Sequence, residues 1–278
     1  ENGVRPWTKP WSAEHLAGRI TRPLRSTGEP YSGINVILLW AEAVARGFTA
    51  PIWITFRQAL ALGGHVRQAE HGSTVVYANR IVRTESGDDG QDIERQIPFL
   101  KAYTVFNVDQ VEGLPAHFYA VAAQRLDAAQ RIDHAEAFFA ATGSELRHGG
   151  NQAYYALQPD YVQMPPFECF EDPESYYATL AHETTHWTRH STRLNRDFGR
   201  TRWGDEGYAR EELVAELGAA FLCADLGLAL EPRPDHSSYI ASWLKVLKDD
   251  RRLIFTAAAH AQRAADFLHQ RQAQTRTA

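Results

Sequence analysis

Residues 181–190, AHETTHWTRH, bring together three side chains able to do hydrolytic chemistry: His182, Glu183 and His186. Side chains four positions apart stack on one face of a helix, so both imidazoles can reach a single metal ion. Glu183 is then placed to polarise a water held at that ion and take its proton. Two histidines leave the site incomplete, because a hydrolytic zinc site takes three protein ligands and keeps a fourth position open.

The third ligand has to come from further along the chain. A histidine six positions after His186, in the arrangement with an intervening glycine, would require glycine at 189 and histidine at 192; the chain has Arg189 and Thr192. His190 lies on the correct helix face but about 12 Å from His182 along a straight helix, which makes it a neighbour of the site. The segment YAREELVAELGAAFLCADLG, residues 208–227, offers Glu212 and Glu216 one turn apart on an otherwise apolar helix. A carboxylate there is costly to bury unless it meets a metal or a charged partner. The reading assigns Glu212 as third ligand and Glu216 as the acceptor that orients a ligand histidine, with the exchanged roles as the alternative. Zinc is the default ion for two imidazoles and a carboxylate, and manganese is possible at such an N/O site. Tyr208, Tyr239 and His260 are candidates for stabilising a developing oxyanion.

The elements that must position these groups can be read from periodicity. Asp172 before Pro173 is an N-cap followed by a residue suited to the first helical position, and Tyr176, Tyr177 and Leu180 carry an apolar stripe into the motif. Gly227 is a stop for the second helix. Upstream, residues 35–47 read as a helix capped by Asn35 and ended by Gly47, and residues 56–64 as a shorter one stopped by a glycine pair. STVVYANRIVRT and ERQIPFLKAYTVFNV alternate apolar and polar residues around a turn-rich SGDDGQD, which predicts a hairpin. Residues 132–143 read as a helix, residues 145–165 as short strands, and the chain closes in a long helical pattern with a break near Asp249 and Asp250. The fold class expected is α+β: an α+β domain over 1–125 and a mostly helical domain with a small sheet over 126–278.

Composition narrows the setting. The chain has 278 residues, 44% of them hydrophobic, enough for a large core and two domains. No apolar run approaches the roughly 20 residues needed to cross a bilayer, and no secretory-signal pattern is evident. Two cysteines, Cys169 and Cys223, make no disulfide framework. A reducing cytoplasm is the simplest location. The net charge is −5, yet residues 1–85 hold ten Lys and Arg against six Asp and Glu, so a basic surface is expected there.

GINVILLW, TFRQALALGGHV, AYTVFNVDQVEGLP, YVQMPPFECF, YYATLAHETTHWTRHSTRLNR, EELVAELGAAFLC and YIASWLKVLKDD resemble the plasmid antirestriction ArdC family, which is also similar to N-terminal parts of some plasmid primases. The resemblance runs from about residue 5 to about residue 270. It implies an N-terminal domain binding single-stranded DNA and a C-terminal zincin-like metallopeptidase domain. The role implied is protection of incoming plasmid DNA from host restriction endonucleases during conjugation. The alternative is an active zinc metalloprotease acting on a host defence or transfer-related protein. Partners expected are single-stranded DNA and, for the alternative, a host restriction enzyme or other protein substrate. The family's H-E-x-x-H falls on His182, Glu183 and His186, and its E-E-L-V-A-E segment on Glu211, Glu212 and Glu216.

Single strands are held by positive grooves with aromatic platforms. Trp53, Arg57, Arg67 and Lys101 are the candidate DNA contacts, with Trp7 and Trp11 in the N-terminal arm. Arg57 and Arg67 flank Gly63-Gly64, where a backbone could approach DNA closely.

Overall fold

A computed structural model of the chain describes residues 21–86, 92–119, 128–170, 172–199, 206–228 and 252–275. Two compact units emerge, one comprising Pro23–Tyr31 and Ala41–Val121, the other Ser32–Trp40 with the chain up to Arg22 and from Ala122 onward. Helices and strands mix in both, so the molecule is α+β as expected. Trp7, Trp11, Tyr239, Asp249 and Asp250 lie outside the described residues.

The first unit is built on a four-stranded sheet of order β1-β2-β5-β4, with β1 at Leu24–Arg25, β2 at Ile52–Ile54, β4 at Ser73–Ser86 and β5 at Asp92–Asn107. β1 and β2 are parallel, and the other pairs antiparallel. Helix α1, Ile34–Arg46, belongs to the second unit up to Trp40 and to this one from Ala41; it begins one residue before Asn35, which is therefore inside the helix and not its cap, and Gly47 ends it at φ +70. Helix α2, Phe56–Ala61, opens on a reciprocal cap that the sequence reading overlooked: Thr55 accepts from the Gln58 backbone N–H while the Gln58 side chain accepts from that of Thr55. A two-stranded ribbon of β3, His65–Val66, and β6, Val111–Glu112, closes over a core of Ile54, Ala59, Val108, Val111, Leu114 and Phe118. Buried Asn107 ties the sheet to the loop before it, donating from its side chain to the Ala50 carbonyl and accepting from the Asp109 N–H.

In the second unit helix α3, Ala128–Ala141, precedes a three-stranded sheet of order β7-β9-β8. Its strands are β7, Glu145–His148; β8, Tyr154–Ala156; and β9, Tyr161–Met164. Helix α4, Pro173–Trp187, starts as the sequence predicts, with Pro173 in its first turn and the Asp172 carboxylate accepting from the Ser175 N–H at 2.7 Å. A cap of this kind contributes about 1 kcal/mol. Helix α5, Glu206–Leu226, is buried along nearly its whole circumference, as expected of a central helix, and Gly227 ends it at φ +66. Helix α6, Leu253–Thr275, lays Ala258, Ala261, Ala265 and Leu268 into this core. Gly218 on α5 permits the approach to α4: a Cβ there would sit 2.5 Å from Thr185 Cγ2.

No described helix is long and apolar enough to cross a membrane. Both cysteines are free; Cys169 is exposed, whereas Cys223 is enclosed in α5 and its burial pushes the thiol pKa well up. A thiol reagent is therefore expected to titrate one cysteine in the native protein and two after unfolding. Two fast-reacting native thiols would contradict this packing.

Candidate metal centre

Helices α4 and α5 bring His182, His186 and Glu212 together, with one donor atom from each lying within 4.8 Å of the others. All three are buried. The two Nε2 atoms are 3.2 Å apart, and Glu212 oxygens lie 3.4 Å from each of them. Donors about 2.0–2.1 Å from a tetrahedral ion are about 3.3 Å from one another, a spacing met by the two imidazole nitrogens and by a different Glu212 oxygen toward each ring. The donor set fits a divalent metal ion, and Glu212 is the carboxylate that lies with the two Nε2 atoms.

The outer nitrogens of the two rings meet different carboxylates. Glu216 Oε2 is 3.5 Å from His182 Nδ1, and Glu211 Oε1 is 3.1 Å from His186 Nδ1. The Glu211 hydrogen bond fixes His186 Nδ1 as the proton carrier and turns that ring's Nε2 lone pair toward the ion, whereas Glu216 stands behind His182 at ion-pair distance. The sequence expectation places Glu216 behind a ligand histidine and gives Glu211 no role. The available signal was the Glu211-Glu212 pair in a helix otherwise filled by Leu, Val, Ala and Phe, since both carboxylates needed partners.

Glu211 is in turn held by Arg196, which no spacing rule could have picked out. The Arg196 guanidinium donates to both Glu211 oxygens, at 2.8 and 2.7 Å, and also to Thr188 Oγ1 and the Thr185 carbonyl. Burial alone would raise the Glu211 pKa, but Arg196 and His186 outweigh it and bring it to about 2. Glu212 is likewise held well below the usual carboxylate range, against its own burial, by the two histidines. Burial opposes charge on His186, yet Glu212 and Glu211 raise its pKa to about 10, and Glu212 and Glu216 raise that of His182. The pocket thus demands positive charge, which protons or a cation can supply.

Glu183 is buried beside this triad in the same turn of α4. His190 lies beyond the end of that helix, its Nδ1 2.8 Å from Thr192 Oγ1, and takes no part in the triad. Among the oxyanion candidates, Tyr208 is half-buried on α5 one turn before Glu212. His260 packs against Phe198 and accepts from Arg263, and its burial with the nearby Arg263 and Arg196 lowers its pKa to about 4, leaving a neutral ring at pH 7.

The DNA-contact candidates separate from one another. Trp53 is 1% exposed and meets the Phe48 ring edge-on, so it has no face for a base and leaves the interface set. Gly64 serves the core: a Cβ there would lie 2.7 Å from Leu114, which explains the glycine without any approach by DNA. Arg67 is exposed but paired with Glu70 at 2.8 Å, while Arg57 is exposed on α2. Lys101 is exposed on β5, 5.5 Å from the Tyr103 ring.

Comparison with known proteins finds two family domains along the chain. Residues 1–106 match the N-terminal domain of anti-restriction factor ArdC, and residues 133–260 a zincin-like metallopeptidase domain. The antirestriction protein ArdC of plasmid R388 is 46% identical in its metal-free crystal structure, which covers 97% of this chain and 92% of that one at a TM-score of 0.79. Its Mn(II)-bound structure is 45% identical, covering 98% of this chain and 92% of that one, with a TM-score of 0.78. Protein y4eC of Sinorhizobium fredii is 44% identical across 98% of this chain and 88% of its own length. DNA primase TraC of Escherichia coli is 35% identical over 99% of this chain, which spans only 26% of that primase. With both domains matched in order and similarity running nearly end to end, the chain belongs to the ArdC antirestriction family.

Proposed function

We propose that this protein binds single-stranded DNA and so shields incoming plasmid DNA from host restriction endonucleases during conjugation. The observation that carries this reading is the company the chain keeps: nearly its whole length recurs in an antirestriction protein and as one quarter of a DNA primase. A module shared by those two contexts is best explained by a common need to handle single strands. Its setting is the cytoplasm, where Cys169 and Cys223 remain thiols. The test is the full chain against a labelled oligonucleotide, by gel shift at low salt and by nuclease protection. Failure to bind at low salt would sink the proposal.

A second reading rests on the triad. When bound at His182, His186 and Glu212, a divalent ion would polarise a peptide carbonyl and lower the pKa of water. Zinc is our first assignment from the donor set, with manganese as the competitor. Glu183 would accept the proton from water and pass it to the leaving amine, and the carboxylates behind the imidazoles would keep both rings in the donor tautomer. Glu183→Gln is expected to keep metal and DNA binding while lowering any peptide hydrolysis by about 100- to 10,000-fold. Protection of plasmid DNA in mating then separates the readings: protection by the Glu183→Gln protein equal to that of the parent assigns it to DNA binding, and its loss assigns it to proteolysis.

A further inference from the structure

The long hairpin of the first unit leaves an aromatic face in solvent. β4 and β5 pair without a bulge from Ser73↔Val105 to Ser86↔Asp92, so residues of one parity share a face. At the base that face is closed, with Ser73, Val75 and Val105 buried. Further out it opens: Tyr103 is 42% and Tyr77 48% exposed, and Phe99 is half-buried. Tyr77 stands opposite Lys101 and Phe99 opposite Asn79. The Tyr77 and Phe99 ring centroids are 6.2 Å apart, Lys101 Nζ is 5.5 Å from the Tyr103 ring, and Asn79 Nδ2 donates to Tyr77 Oη at 2.6 Å. The opposite parity carries no ring over the same stretch: it holds Thr74, Val76, Ala78, Ala102 and Thr104, together with exposed Leu100.

Cross-strand ring pairs stabilise a hairpin, but that gain does not require rings of this size to face water around an ammonium group. Charge along the hairpin identifies what the face suits. Residues 73–84 and 95–107 contain Arg80, Arg83, Arg95 and Lys101 and no carboxylate, whereas every acidic residue of the hairpin lies at its turn end, between Glu85 and Glu94. The ladder also sets Arg83 directly opposite Arg95. A polyanion is therefore attracted to the body of the hairpin and repelled from its tip. π-faces beside cations, confined in this way, match unstacked bases on a phosphate backbone and not a duplex, whose bases have no free face.

We propose that the β4–β5 face bearing Tyr77, Phe99, Lys101 and Tyr103 is where bases of single-stranded DNA stack. This inference rests on the DNA-binding reading above and adds the residues that carry it. The experiment is fluorescence anisotropy of a labelled oligo(dT) with the full chain across a salt series. Tyr77→Ser with Tyr103→Ser is expected to weaken binding about 5- to 150-fold for each base that no longer stacks, with the salt slope unchanged. Tyr77→Phe with Tyr103→Phe keeps the rings and is expected to bind like the parent, and Lys101→Ala is expected to lower the salt slope by about 0.7. Parental affinity in the serine variant, or a parental salt slope in Lys101→Ala, would overturn the assignment while leaving DNA binding elsewhere on the protein. A parent that ignores oligo(dT) at low salt removes the DNA-binding reading and this inference together. A serine variant that binds normally but changes from dimer to monomer in sedimentation reassigns the face to a second copy of the chain.

Discussion

Glu212→Ala is expected to yield protein without stoichiometric metal, while Glu216→Ala and Glu211→Gln retain metal with affinity lowered by about 10- to 100-fold. The distinction follows from which nitrogen each carboxylate addresses. Glu212 lies 3.4 Å from Nε2 of both histidines, on the side where an ion would sit, whereas Glu216 and Glu211 face the Nδ1 atoms behind the rings. Removing Glu212 deletes a donor and leaves two imidazoles. Removing either of the others leaves three donors and loosens one ring. Elemental analysis gives the stoichiometry, and zinc and manganese titrations give the affinities. Thermal melts supply an independent check, because a ligand that binds only the folded state raises its stability. Metal should raise the melting temperature of the parent and of Glu216→Ala, and leave Glu212→Ala unmoved. A metal-free Glu216→Ala beside a metal-loaded Glu212→Ala would exchange the roles of the two residues.

Much of this centre was legible because helical periodicity converts spacing into geometry. His182 and His186 had to share a face, and a following apolar helix interrupted by Glu212 and Glu216 had to satisfy those carboxylates somewhere. The glycine stops at 47 and 227, the Asp172 cap and the β4–β5 hairpin were legible for the same reason, each being a local signal with a local consequence. What escaped depends on distance along the chain or on the face a residue presents. Arg196 reaches Glu211 across fifteen positions that carry no period, so only the fold reveals it. Trp53 was a candidate platform by residue type, but a three-residue strand cannot declare which of its sides is enclosed. Tyr77 and Tyr103 were overlooked although they alternate correctly in their strands, because alternation marks a face without saying whether that face is covered.

The second large effect is expected at Arg196→Met. Arg196 and Glu211 side chains are 1% and 2% exposed, and they form a two-pronged pair that also spans to Thr188 and Thr185. Deleting one partner of such a pair leaves a buried charge uncompensated, which costs about 3–5 kcal/mol. Chemical denaturation should register that loss directly. Arg196→Lys should recover little of it, since an ammonium group cannot reproduce the planar fork that meets both carboxylate oxygens while also donating to Thr188 and the Thr185 carbonyl. Arg196→Met combined with Glu211→Gln should recover a substantial part, because the stranded charge is gone. The pH dependence has a definite sign. In the parent, Glu211 has its pKa lowered to about 2, so its contribution is full above the unfolded carboxylate value and is lost as pH falls through about 2. The gap in stability between parent and Arg196→Met should therefore be widest near neutrality and narrow as the solution is acidified. A gap that stays constant from neutral pH to pH 3 would mean that the arginine acts by packing alone. Metal affinity separates this structural cost from the effect on the site: the double variant, although more stable than Arg196→Met, should still bind metal more weakly than the parent, since no ionised carboxylate then stands behind His186.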